Sequence, residues 1–168
     1  MADLHASYPV SQFLGKANLQ AGTTNTLTTV PVPAPTPYNI RSKGYSRAAL
    51  TNAAVPTVDF ASATNANPAN FRPIPPGFGS VFVTCFDAAG TLRVCQGTVE
   101  ALDGAGGWVN PPQFPAPPDT VCPFGYIMVR VGANGSTWNF GTSNFSGATG
   151  VTYTFTDISA LPDRPQIQ

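Results

Sequence analysis

Two apolar runs, SVFVTCF (80–86) and LRVCQGTVEAL (92–102), stand on either side of the short connector Asp87-Ala88-Ala89-Gly90. Runs rich in Val, Phe and Thr suit a pleated, buried surface, and a glycine closing such a connector accepts a left-handed turn conformation at no steric cost. The pattern predicts an antiparallel hairpin. A loop centred on Asp87–Gly90 sets Cys85 opposite Leu92, so Cys85 and Cys95 are expected to miss each other across the ladder. No competing helical period appears elsewhere. Glu100 is the single glutamate in 168 residues, beside many Thr, Val, Phe, Gly and Pro, whereas long helices draw on Glu, Lys, Ala and Leu. The body is expected to be all-β.

Other strand signals follow the same logic. In VTYTFTD (151–157), Val151, Tyr153 and Phe155 alternate with Thr152, Thr154 and Thr156; successive strand side chains point to opposite faces. The aromatic face is therefore expected inside, packed with Phe82, Phe86, Ile127 and Val129, and the threonine face toward solvent or a sister subunit. VCPFGYIMVRVG reads as a buried strand, ANGS as a turn, TWNFG as a strand, and residues 107–120 as a proline-rich crossover. A further short strand is expected over residues 55–60. Short strands punctuated by Gly and Pro point to a β-sandwich or jelly roll.

The first third differs in texture. Residues 1–38 contain scattered apolar side chains (Leu4, Tyr8, Val10, Phe13, Leu14) and then Pro31, Pro33, Pro35 and Pro37 at alternate positions. Each proline removes a ladder donor, so this part is expected to be an extended arm, laid along its own fold or a neighbour, rather than a central strand. The expected organisation is an arm over 1–38, a β-sandwich body over 39–160 and a tail over 161–168. YNIRSKGYSR (38–47) sets Arg41, Lys43 and Arg47 among Tyr38 and Tyr45. Single-strand nucleic-acid binders interleave charge and aromatics in this way, but a strand and turn with a solvated basic edge that discourages edge pairing is the simpler reading.

Composition removes several functional classes. Eight basic residues balance eight acidic ones, and charged residues make up only 10%, which leaves no global field for nucleic acid or an anionic membrane. No signal peptide or long apolar run is visible, and the chain is expected to remain unexported. Cys85, Cys95 and Cys122 are an odd number without metal-like spacing and are expected to be buried thiols. The single histidine, His5, is poorly placed to act as a base. Asp3, Asp59, Asp87, Glu100, Asp103, Asp119, Asp157 and Asp163 form no local motif, so no catalytic, cofactor-binding or metal-binding residue is expected. Asn134-Gly135-Ser136 and Asn144-Phe145-Ser146 match the glycosylation sequon but read as turns. Trp108, Trp138, Tyr126 and Tyr153 offer either core packing or a sugar-stacking surface.

At CPFGYIMVRVG and WNFGTSNFSGATGVTYTFTDISALPDRPQ, together with NIRSKGYSRAALTNAAVPT and GSVFVTCFDAAGTLRVCQGTV, the chain resembles the capsid decoration, or cement, proteins of tailed bacteriophages. The likeness extends over most of the chain. It implies a β-sandwich or jelly roll, a non-enzymatic virion structural protein made in the host cytoplasm and carried on the outer capsid surface, and the major capsid protein as partner. It also implies a homo-oligomer, a trimer before a dimer, with no nucleic-acid or membrane partner. A tail- or fibre-associated structural protein or a carbohydrate-binding β-module is the alternative.

Overall fold

A computed structural model describes residues 11–30, 32–62 and 69–162. The strands are β1 (Gln12–Phe13), β2 (Gln20–Ala21), β3 (Thr26–Thr28), β4 (Thr36–Ile40), β5 (Lys43–Arg47), β6 (Ala53–Ala54), β7 (Phe78–Asp87), β8 (Leu92–Ala101), β9 (Val121–Val131) and β10 (Val151–Asp157). One 3-10 turn, Phe60–Ser62, is the only helical element among the described residues. All ladders are antiparallel, in three sheets ordered β10-β9-β7-β8, β1-β4-β5 and β2-β3-β6. The fold is all-β and sandwich-like.

The two central strands of the large sheet explain its sequence. Val81, Val83 and Cys85 of β7 face one cluster with Val121, Tyr126 and Met128. Phe82 and Phe86 face the other, with Phe124, Ile127, Val129 and Val131. A strand covered on both faces gains nothing from polar alternation, so β7 and β9 read as nearly unbroken apolar runs. The connection from β7 to β8 differs in detail from the four-residue loop. Asp87 N–H donates to the Thr91 carbonyl at 3.1 Å, leaving three residues in the loop, with Gly90 at φ 74°. The register becomes Cys85↔Arg93 and Val83↔Cys95. Pro123 lies inside β9, beside the register shift where Thr84 faces Gly125 and Cys85 faces Pro123. That bulge leaves Phe124 as the extra residue and accommodates the missing proline donor.

The first described residues are part of the body. Phe13, Ala17, Leu19, Leu27 and Tyr38 are all buried in the main core, and β4 runs straight across the expected boundary at residue 38. Phe13 lies 5.7 Å from Phe124 and 6.2 Å from Phe86, while Tyr38 lies 5.8 Å from Phe86. The sheet β1-β4-β5 thus closes over the large sheet. Residues 33–35 form bends, with cis bonds before Pro33 and Pro35. Pro37 is near the start of β4, where its carbonyl accepts the Leu14 N–H at 3.0 Å. Leu14 is exposed. Leu4, Tyr8, Val10, Pro31 and residues 163–168 of the expected tail lie outside the described residues.

Two expected strands are absent. Over residues 55–60, Pro56 cannot donate, and Asp59 accepts the Ala61 N–H at 3.0 Å, which winds the chain into the 3-10 turn. TWNFG makes only a bridge from Trp138 to Ile74, because the Asn139 carbonyl takes the Ser143 N–H and its own N–H goes to the Ser143 hydroxyl. The β10 alternation is as expected on its aromatic face: Tyr153 and Phe155 pack against the core that holds Phe82, Phe86, Ile127 and Val129. On the other face, Thr152 is exposed, but Thr154 and Thr156 are partly covered beside Met128 and Tyr126. Phe114, Ile158 and Leu161 pack on that side of the sheet.

Phe82 is fully buried, stacked on Phe140 at 4.4 Å and edge-on to Phe71 and Trp138. Phe82→Ala should cost about 3–5 kcal/mol through lost transfer energy and a residual cavity. Chemical denaturation checks this; a loss under about 1 kcal/mol would mean that the site collapses around the gap.

Candidate interaction surfaces

The carboxylates that sequence left unassigned mostly serve the backbone. Asp87 Oδ1 accepts the N–H groups of Ala89 and Thr91, both at 2.9 Å, and Oδ2 pairs with Arg93 Nε at 3.0 Å. Asp103 Oδ1 accepts Ala105 and Gly107 N–H in the loop after β8. Asp157, at the end of β10, accepts Asn18 and Leu19 N–H at 2.9 and 3.0 Å, fastening the N-terminal segment to the large sheet. Asp59 accepts Ala61 and Gln96 N–H. Burial pushes the Asp59 carboxyl up, against the lowering effect of those N–H groups and of Arg72. Among the described residues, no group of three or more His, Cys, Asp or Glu side chains converges as a metal site. Asp3, His5 and Asp163 lie outside the described residues.

The three cysteines are free and buried. As expected, Cys85 and Cys95 miss each other across the ladder, their partners being Arg93 and Val83, although the observed register sets them as diagonal neighbours on one sheet face. Burial, then Cys95, raises the Cys85 thiol well above its ordinary value, and burial pushes Cys122 up to about 12. Such thiols are poor nucleophiles. The aromatic residues divide similarly. Trp138 is 2% exposed, with its indole N–H donating to the Asn144 carbonyl, and Tyr126 is 1% exposed under Phe114. Both belong to packing layers. Asn134 and Asn144 are exposed in irregular loops, as their turn reading anticipates.

Two open grooves mark the surface. One, of about 390 Å³, is lined by Ser11, Arg41, Pro117, Pro118, Asp119 and Leu161. The other, of about 380 Å³, is lined chiefly by the hydroxyl and amide groups of Ser136, Thr137, Ser143, Asn144, Ser146 and Thr149.

The β4–β5 hairpin concentrates the free charge. Ile40 pairs with Lys43 across the two-residue turn Arg41-Ser42, whose φ angles are 48° and 67°. Both residues are left-handed, as in a type I′ turn, yet neither is Gly, Asn or Asp. Lys43, Tyr45 and Arg47 share one face of β5. The Lys43 ammonium sits 5.7 Å from the centre of the Tyr45 ring, Tyr45 stacks on Tyr38 at 5.5 Å, and the Arg47 guanidinium lies 5.8 Å from the centre of Phe86. Arg47 Nε is buried without a hydrogen-bond partner. Among the described residues the only ion pair is Asp87–Arg93, so Arg41, Lys43 and Arg47 have no carboxylate partner there. The two-residue spacing of TPYNI and KGYSR was the readable sign of this hairpin. Its turn type was hidden because the usual Asn-Gly was missing.

No protein family, curated protein or solved structure matches the chain.

Two outcomes follow from these geometries. The Asp87 carboxyl is partly desolvated, which raises it, but Thr91, Arg93 and Ala89 together hold it below the ordinary 3.8. A depressed carboxylate contributes stability above its unfolded value and loses it as pH falls through the folded value. The stability gap between wild type and Asp87→Asn should therefore be largest near neutrality and shrink below about pH 4, as read by denaturant titrations across pH. At the hairpin tip, Ser42→Gly should stabilise by about 1 kcal/mol by relieving a left-handed L-residue, visible as a higher denaturation midpoint. An unchanged midpoint would mean that the entropy lost with glycine cancels the relief.

Proposed function

We propose that this protein is a non-enzymatic structural protein that decorates the outer capsid surface of a tailed phage and stabilises it by bridging major capsid proteins. The observation that carries the reading is the use made of the polar groups. Asp59, Asp87, Asp103 and Asp157 each accept at least two backbone N–H groups. They brace loops instead of converging on a cavity. A lattice stapler needs such a body, stiff and nearly neutral, and works through backbone edges and hydroxyl-rich loops. The resemblance of CPFGYIMVRVG and VTYTFTDISALP to decoration proteins points the same way, and many copies on one shell multiply a modest affinity. Burial of Trp138 and Tyr126 argues against a carbohydrate-binding module built on those rings. Assembly as a homo-oligomer, a trimer first, follows from the closed symmetry of sites on a shell.

The test is to mix purified protein with phage heads stripped of accessory proteins and to image them. Saturable, regularly spaced density on the head exterior and a higher temperature of particle rupture are expected. Density confined to the tail, or no binding, would overturn the reading; light scattering on the free protein reports the oligomer.

A further inference from the structure

We propose that the open edge of β5 is a docking site for an extended acidic segment of a partner protein, which adds to the β1-β4-β5 sheet as a fourth strand. Calling that partner a shell subunit rests on the function proposed above; strand addition itself does not.

Antiparallel geometry shows which backbone groups are on offer. Pro37 sends its carbonyl to Leu14, on the β1 side of β4, at 3.0 Å. Its partner across the β4–β5 ladder is Ser46, and two residues on, Asn39 faces Gly44. Because each strand residue directs its N–H and C=O to the same side, and sides alternate, Ser46 and Gly44 turn theirs away from β4. No described segment bonds to that side of β5. A Cβ built on Gly44 would meet no atom within 4 Å. The corresponding edge of β8 is treated differently. There Thr98 N–H donates to the Gln113 carbonyl, Gln96 N–H goes to Asp59, and a Cβ on Gly97 would collide with the Gln113 carbonyl oxygen. Among the described residues, the β8 edge is covered and the β5 edge is bare. Bare edges are where strands from other chains add.

The charges say what kind of strand. Lys43 and Arg47 lie on one face at the two ends of β5, with Tyr45 between them, and Arg41 stands at the turn. An incoming strand bonded to Gly44 and Ser46 places its side chains opposite Lys43 and Arg47 in the closer, non-hydrogen-bonded type of pair. Two carboxylates at that spacing would meet both cations. The left-handed Arg41-Ser42 turn holds the hairpin in this register at a conformational cost. Single-stranded nucleic acid suits the site less well. It needs an aromatic face free for base stacking, whereas Tyr45 is half-buried between Tyr38 and the Lys43 ammonium.

Fluorescence anisotropy on the full chain tests this. The probe is a labelled peptide of about nine residues, alternating Thr and Val, with two glutamates at the spacing of Lys43 and Arg47. Saturable binding is expected, weakened at least about tenfold by Ser46→Pro, which deletes an edge donor while keeping every cation, and similarly by the Lys43→Ala/Arg47→Ala pair. Amide hydrogen exchange on the wild-type chain should show protection at Gly44 and Ser46 on peptide addition. This second readout holds even if Ser46→Pro unfolds. No saturable binding, equal binding of a peptide with adjacent glutamates, unchanged exchange at both amides, or tighter binding of oligo-dT that Ser46→Pro leaves intact would each overturn the proposal. With stripped heads, wild-type attachment that a folded Ser46→Pro variant retains sinks strand addition but not the capsid reading. Peptide binding without head attachment sinks the capsid reading but not strand addition.

Discussion

Covering β7 and β9 on both faces is the constraint from which the rest of the architecture follows. A hairpin alone buries one face; here Phe82 and Phe86 look one way and Val81, Val83 and Cys85 the other. Each face therefore needs a lid, and the chain spends most of its remaining length supplying two. The N-terminal segment, β3 and the β1-β4-β5 sheet close the first face through Phe13, Leu27 and Tyr38. Phe114 of the proline-rich crossover, with Ile158 and Leu161 after β10, covers part of the second. At roughly 25 cal/mol per Å² of apolar surface, such double burial makes the lids integral to stability even where they are irregular.

Irregular lids carry many backbone groups that no ladder satisfies, and this accounts for the short supply of free polar side chains. Asp157 holds Asn18 and Leu19; Asp87 holds its own turn; Gln96, buried on β8, accepts from Arg72 N–H and donates to the Arg72 carbonyl. A buried donor left unpaired costs about 1–3 kcal/mol, so each of these groups is worth more to the fold than to any surface. The β4–β5 hairpin is the exception. Among the described residues its cations lack carboxylate partners and its outer edge is bare, and its turn is left-handed without glycine. Violations of local rules gathered in one place are the usual mark of a surface selected for something other than stability.

Sequence by itself determined the all-β class, the β7–β8 hairpin, the β9 and β10 strands and the inward aromatic face of β10, because period-two patterning and turn residues act over a few positions. It also marked the basic, tyrosine-interleaved hairpin as a strand and turn. Tertiary structure decided what depends on distant partners. It brought Phe13, Leu27 and Tyr38 into the core, where Phe13 meets Phe124 of β9 at 5.7 Å, far along the chain. It removed the strand expected in TWNFG, where Trp138 packs inward and Asn139 turns the chain. It admitted Pro123 to a central strand by placing a bulge beside it, and it set Cys85 and Cys95 on one sheet face by shortening a loop by one residue. The open edge of β5 belongs to the same class. Five residues of KGYSR specify a strand, but whether a neighbour covers it depends on the paths of segments distant in sequence.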